Sequence, residues 1–381
     1  MNKIATFVSA MAAVGMAGSV MAATPITVTQ TVNASQFTTT QQQSRVGPGT
    51  TTFIGTVSST GPTLIPISRF DTNTGILVGA RMSVTLPYTV SVSATGAIPA
   101  SGSGRTVDVT SGISGTVSIG GTSISTTSFA ATPKCNSGDC LNQSSNNTSS
   151  TTGTLSGTTA VASSNLVNLA GTGAGSVNFS TSVSNSNTRI INGSGVTTGF
   201  ARSAFVVGGA TAASNVYSVA YDYLNFANPS FSNSSTVTSS SLNFGSLALG
   251  SGPALLNFNI TNIGNINTAG LSLTSISRST SNSQFTSTIS TFTNGLDGGF
   301  TNNYSISFNP LVVGTVNDIF TFTFADFAPT GSVGGRNYTL TMNVAGDVFD
   351  PVPEPASWMM MMLGFGLVGS IARRRAVSQP G

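Results

Sequence analysis

Cys135 and Cys140 are the first side chains in this sequence that invite a chemical reading. They lie in Lys134-Cys-Asn-Ser-Gly-Asp-Cys-Leu141. In an oxidising compartment they close a small disulfide loop over a turn of Asn, Ser, Gly and Asp. Two other readings fit less well. The spacing is not that of a Cys-x-x-Cys redox pair, and two cysteines without histidine make a poor zinc site. The chain has no histidine, so a Ser-His-Asp triad and imidazole metal ligands are both out of reach. Glu354 is the only glutamate, and the aspartates are scattered. A glycosidase needs two carboxyl groups roughly 5–10 Å apart. Asp347 and Asp350 come closest in sequence, while Asp71, Asp139 and Asp297 sit among Gly, Asn or Thr, where aspartate serves turns. Lys134 is the only lysine between the two termini, beside the cysteine loop. This inventory lacks the usual general acid–base groups. It reads as no enzyme, no cofactor and no metal.

The densest pattern lies at the C-terminal end. Asp350-Pro-Val-Pro-Glu-Pro355 is followed by Ala356 to Ala372 without a charge, then by Arg373, Arg374 and Arg375. The prolines keep the approach extended. The apolar run predicts a transmembrane helix over 356–372. Seventeen helical residues rise about 25 Å against a hydrocarbon core of about 30 Å, enough for a transient span. The three arginines would act as a membrane stop on the cytoplasmic side. Trp358 is the only tryptophan, and four of the ten methionines are Met359 to Met362. A packed domain does not segregate residue types in this way.

Pro353-Glu354-Pro355, Trp358, the Met-Leu-Gly-Phe-Gly run and Arg373-Arg374-Arg375 together resemble a PEP-CTERM sorting signal. The resemblance is to the variant of Gram-negative bacteria with a tryptophan three residues after the second proline. Met359 stands where that variant often has alanine. The resemblance covers 351–375 and implies an exosortase as transient partner, transient contact with the inner membrane, and delivery to the cell surface or extracellular matrix. It also implies that Pro353, Glu354, Pro355 and Trp358 form the sorting motif. An ordinary single-pass anchor is the plainer alternative.

The other end mirrors this export logic. Lys3, an apolar run from Ile4 to Val20, and small residues around Ala22 have the order of a cleaved signal peptide over 1–22. Without both ends, the formal charge of +3 becomes nearly neutral. The basic balance therefore points to no nucleic acid, and no basic stripe with interleaved aromatics is present. Charged residues make up only 6% of the chain, against about 25% in ordinary soluble domains. Hydroxyls and amides carry the surface instead.

Between the ends, alternation with a period of two recurs. It runs through Met82, Val84, Leu86, Tyr88, Val90 and Val92; Leu256, Phe258 and Ile260; Tyr304, Ile306 and Phe308; Phe320, Phe322 and Phe324; and Tyr338, Leu340, Met342 and Val344. Each run predicts a half-buried strand, and the chain reads as all-β. The polar stretch at 229–239 reads as a linker between a domain at 24–228 and one at 240–348. The Ser/Thr-rich segment at about 142–164 lacks apolar residues and reads as a flexible insertion. Both domains are expected to be β-sandwich-like, the second immunoglobulin-like.

Two further resemblances accompany that division. Arg69-Phe70-Asp71 to Met82, closing near Tyr217-Ser-Val-Ala-Tyr221-Asp-Tyr223, is similar to a choice-of-anchor E domain. Leu242-Asn-Phe244-Gly245, Phe258 to Gly264 and Ser307-Phe308-Asn-Pro310 are similar to a Hydin-like or choice-of-anchor D immunoglobulin repeat. The cysteine pair of many such repeats is missing here. Neither family implies catalysis. The reading is an exported, non-catalytic surface or matrix protein associated with exopolysaccharide or biofilm. A carbohydrate-binding or adhesin module is the alternative, with Tyr217, Tyr221 and Tyr223 as either core residues or a glycan platform, and a secreted hydrolase is a third.

Overall fold

A computed structural model describes residues 23–34, 37–45, 49–56, 64–97, 106–130, 134–136, 145–192, 198–207, 215–280, 284–351 and 355–376. The signal peptide expected at 1–22 lies outside them. The chain is largely β, with several sheets and a C-terminal helix. It gathers into two compact units.

The first unit comprises 1–227 with the segments 264–270 and 326–336. Its strands begin with β1 (Ile26–Ala34), β2 (Phe37–Arg45), β3 (Gly49–Thr56), β4 (Leu64–Ser68), β5 (Phe70–Asp71), β6 (Ile76–Ala97) and β7 (Thr106–Ile119). There follow β8 (Thr122–Ala130), β9 (Lys134–Asn136), β10 (Ser145–Ala160), β11 (Ala170–Gly171), β12 (Ser176–Asn192), β13 (Thr198–Val207) and β14 (Asn215–Leu224), with a short helix α1 (Leu166–Leu169). One sheet runs β1-β14-β6-β13-β2, with β10 also on β6; the other runs β3-β12-β7-β8, with β4 and β9 on its flanks. The alternation predicted from the sequence is what fills the core. Met82, Val84, Leu86 and Tyr88 of β6 are buried with Val219 of β14, Phe179 of β12 and Leu169 of α1. Tyr217 and Tyr221 are buried as well. The Tyr221 hydroxyl donates to the Ser68 carbonyl at 2.8 Å, so these tyrosines are core residues and offer no platform.

The segment read as a flexible insertion departs from that expectation. Ser145–Ala160 is strand β10, antiparallel to β6 from Ser145↔Gly96 to Ala160↔Arg81. Strand pairing is satisfied by backbone groups, and threonines, β-branched, favour the extended state without supplying apolar bulk. A composition argument weighted to apolar residues misses this.

The segment 326–336 is fixed within the first unit by a two-way bridge. Leu77 and Val333 exchange backbone hydrogen bonds at 2.9 Å in both directions. Asp326 accepts from the Ala227 N–H at 2.7 Å and from the Arg336 N–H at 2.6 Å. The Arg336 guanidinium lies 3.7 Å from the centre of the Phe226 ring.

The second unit comprises 228–263, 271–325 and 337–381. Its strands are β15 (Pro229–Ser230), β16 (Ser239–Ala248), β17 (Ala254–Asn262), β18 (Gly270–Arg278), β19 (Phe285–Ser287), β20 (Thr301–Phe308), β21 (Gly314–Phe327) and β22 (Asn337–Phe349). They form two four-stranded sheets, β15-β17-β20-β19 and β16-β22-β21-β18. Phe258 of β17 stacks on Phe322 of β21 with ring centres 5.8 Å apart, and Phe244 of β16 meets Phe308 of β20 at 5.4 Å. Gly346 is glycine because of that core: a Cβ there would run into the Phe308 ring. Within 229–239, the buried Ser230 hydroxyl donates to the Ser235 carbonyl at 2.8 Å and accepts from the Val237 N–H at 2.8 Å. Phe231 sets its ring edge-on to Phe258 and Phe322.

The chain ends in helix α2 (Pro355–Ala376). The transmembrane helix expected at 356–372 requires correction. A helix is present, but no helix among the described residues is long and apolar enough to cross a membrane. The physical reason lies in the run itself: its uncharged length falls short of the hydrocarbon core, and Ser357, Gly364, Gly366, Gly369 and Ser370 dilute its hydropathy.

Candidate functional site

Helix α2 opens on Pro355, a residue suited to the first helical turn because its missing N–H has no partner to lose there. Every residue from Trp358 to Arg373 is exposed. Met359 to Leu363 are consecutive, and successive helical residues are about 100° apart, so apolar side chains occupy all faces. A helix apolar all round belongs in an apolar setting. Here Trp358 to Arg373 stand in solvent. Trp358 and Arg373 lie on the helix about 22 Å apart along the axis, marking its two ends.

The predicted site residues fall in different places. Trp358 and Arg373 are exposed on α2, and Pro355, Arg374 and Arg375 belong to the same helix. Pro353 and Glu354 lie outside the described residues. Cys135 is in β9, where its backbone pairs with Val107; Cys140 lies outside the described residues, as does any bond between the two.

Residues 351–376 match the PEP-CTERM protein-sorting motif. The chain thus bears a sorting signal of the kind recognised by exosortase, and such signals mark exported proteins. No curated protein matches the chain. Among solved structures, the chain is similar to the Vibrio cholerae VesB protease at a TM-score of 0.22 and 17% identity, over 34% of this chain and 37% of that one. It therefore spans little more than a third of that protease. It is also similar to the ASH/PapD-like domain 7 of human CEP192, at a TM-score of 0.22 and 14% identity, over 29% of this chain and 82% of that one. Likenesses at these TM-scores carry no argument.

Four carboxylates elsewhere are committed to structure. Asp71 accepts from the N–H groups of Asn73 at 2.9 Å and Gly173 at 3.0 Å, and these hold its carboxyl below the usual range. Asp222 accepts from Thr27 and Arg81. Asp347 accepts from Ser246 and Thr315. Asp318 is fully buried and receives Arg278, Ser279 and the N–H groups of Thr280 and Ile319. Among the described residues, no group of three His, Cys, Asp or Glu side chains could hold a metal ion.

One polar hollow in the second unit was not anticipated. Asn257, Asn259, Asn303, Ser305, Tyr304 and Thr288 line a space of about 450 Å³. Asn259 pairs with Asn303 and Asn257 with Ser305 across β17 and β20, so the three asparagines share one face of the sheet. The signal was available: Asn257 and Asn259 alternate with the buried Phe258 and Ile260, and residues two apart share a strand face.

Proposed function

We propose that this is a non-catalytic surface or matrix protein. An exosortase at the inner membrane processes it through the tail and delivers it to the cell surface, in association with exopolysaccharide. The observation that carries the reading is the sorting motif at 351–376 on a helix whose apolar side chains are uncovered. The reading needs no catalysis. It is supported by the absence of histidine and by the structural use of Asp71, Asp222, Asp318 and Asp347. The second unit reads as an immunoglobulin-like sandwich, supported by the Phe258–Phe322 and Phe244–Phe308 contacts between strands of its two sheets. On this proposal the first unit is choice-of-anchor E-like and the second Hydin-like or choice-of-anchor D-like. The test is a strain lacking the exosortase. Full-length chain should accumulate in the cells and the surface fraction should fall. An unchanged surface fraction would refute the reading.

A second reading, glycan binding, is favoured by the hollow at Asn257, Asn259 and Asn303. No charged residue lines it, and primary amides pair donors with acceptors in the way sugar hydroxyls require. On a glycan array, Asn257→Ala with Asn259→Ala should abolish binding shown by the intact chain. Equal binding by both would remove the hollow from consideration.

A further inference from the structure

The second unit has an apolar pole where the sorting segment leaves it. Leu249 is 37% exposed, Leu311 54%, Val312 63%, Val313 54% and Phe349 47%. Three separate stretches bring them together. The Leu249 N–H donates to the Phe349 carbonyl at 2.9 Å, and the Gly250 N–H to the Pro310 carbonyl at 3.0 Å. Gly314 pairs with Val348 in the β21–β22 register. The loop is held in place rather than left loose: Gln284, buried, accepts from the N–H groups of Leu311 at 2.8 Å and Val312 at 3.2 Å. Gly314 adopts φ of 120°, a turn conformation that side chains resist. Five large apolar side chains, each more than a third exposed, thus stand on adjoining stretches of backbone, and clustered exposed apolar groups suit an interaction surface. Trp358 to Arg373 do not cover it, since they are themselves exposed.

We propose that this pole is a second docking surface for the enzyme that reads the sorting motif, which would then recognise the folded body together with the tail. The inference rests on the sorting reading. Continuity argues for this partner. The pole ends at Phe349 and the matched motif begins at residue 351. The four Cα-to-Cα steps from Phe349 to Pro353 reach at most about 14 Å, so an enzyme gripping the motif stands against the pole. Charge argues for protein over lipid. The residues around the patch include Asp347 and Asp350 but no lysine or arginine in 244–251, 309–316 or 345–352, and an anionic bilayer surface repels such a rim. The fitting partner is an apolar depression with a basic border.

The test follows cleavage of the full-length chain in cells carrying the exosortase. Val312→Asp should slow cleavage about tenfold, the scale expected from losing one buried aliphatic side chain. Ile276→Asp, at another exposed position of the second unit, should cleave at the wild-type rate. Val313→Thr, nearly isosteric, serves if Val312→Asp lowers the melting temperature, and should slow cleavage in the same direction. Glu354→Ala separates the two ideas. If it blocks cleavage while both pole variants cleave normally, the pole proposal fails and the sorting reading stands. If the wild-type chain is never cleaved, the sorting reading fails and the proposal with it. If the released protein binds phosphatidylcholine vesicles, and Val312→Asp abolishes that binding without slowing cleavage, the pole is a lipid contact and the enzyme proposal is overturned.

Discussion

Asp318→Ala should destabilise the second unit by about 3 kcal/mol. The carboxylate is wholly buried, while its Arg278 partner keeps 26% of its side chain exposed. One oxygen takes the Arg278 Nε–H at 2.8 Å; the other takes the N–H groups of Thr280 at 2.9 Å and Ile319 at 2.8 Å and the Ser279 hydroxyl at 3.0 Å. Removing one partner of a buried ion pair costs about 3–5 kcal/mol. Arg278 can turn toward water, which favours the lower end. Acid should reproduce part of this loss. Burial alone would push the Asp318 carboxyl up, but the Thr280, Arg278, Ile319 and Ser279 hydrogen bonds outweigh it and hold it below the ordinary value of 3.8. The stabilisation is therefore complete above that ordinary value and fades as pH falls through the lower folded value. Urea unfolding followed by circular dichroism, at neutral pH and through the acid range, measures both effects. Asp318→Asn should flatten the acid dependence. A loss below about 1 kcal/mol for Asp318→Ala, or an Asp318→Asn acid profile identical to wild type, would refute the reasoning.

Other expectations follow from single contacts. Gly346→Val should cost about 1–3 kcal/mol by overpacking against Phe308, read as a lower urea midpoint. Tyr221→Phe should cost about 1 kcal/mol, because it removes the hydrogen bond to the Ser68 carbonyl. Burial pushes the Tyr221 phenol up to about 12, against a smaller opposing effect of Arg69, from an ordinary 10.0. That stabilisation is full below 10.0 and is lost as pH climbs toward about 12. Alkaline difference spectroscopy should show Tyr221 ionising only with unfolding.

The strands were legible because burial on one face imposes a period of two. Phe320, Phe322 and Phe324, and Leu340, Met342 and Val344, are buried where the alternation placed them. The tail was legible for a different reason: a single glutamate, a single tryptophan and three arginines stand in order around an apolar run. What composition hid was structure made by backbone and hydroxyls. β10 has little apolar character and is held by pairing along β6, and Ser230 organises residues 230–237 through its hydroxyl. The assignment of 264–270 and 326–336 to the first unit depends on long-range pairings such as Leu77 with Val333, which leave no local pattern. The membrane-spanning expectation fails because absence of charge is not apolarity: glycines and serines dilute the run.

The central claim is that the segment from Pro353 to Pro355 is a processing signal and not a fixed attachment. Mass spectrometry of the C-terminal peptide in the surface fraction tests it most directly, with wild-type and Glu354→Ala chains compared. The account predicts a wild-type surface form that has lost Arg373 to Arg375, and a Glu354→Ala chain that stays full-length and cell-associated. A wild-type surface form that retains its tail through Arg375 would contradict it.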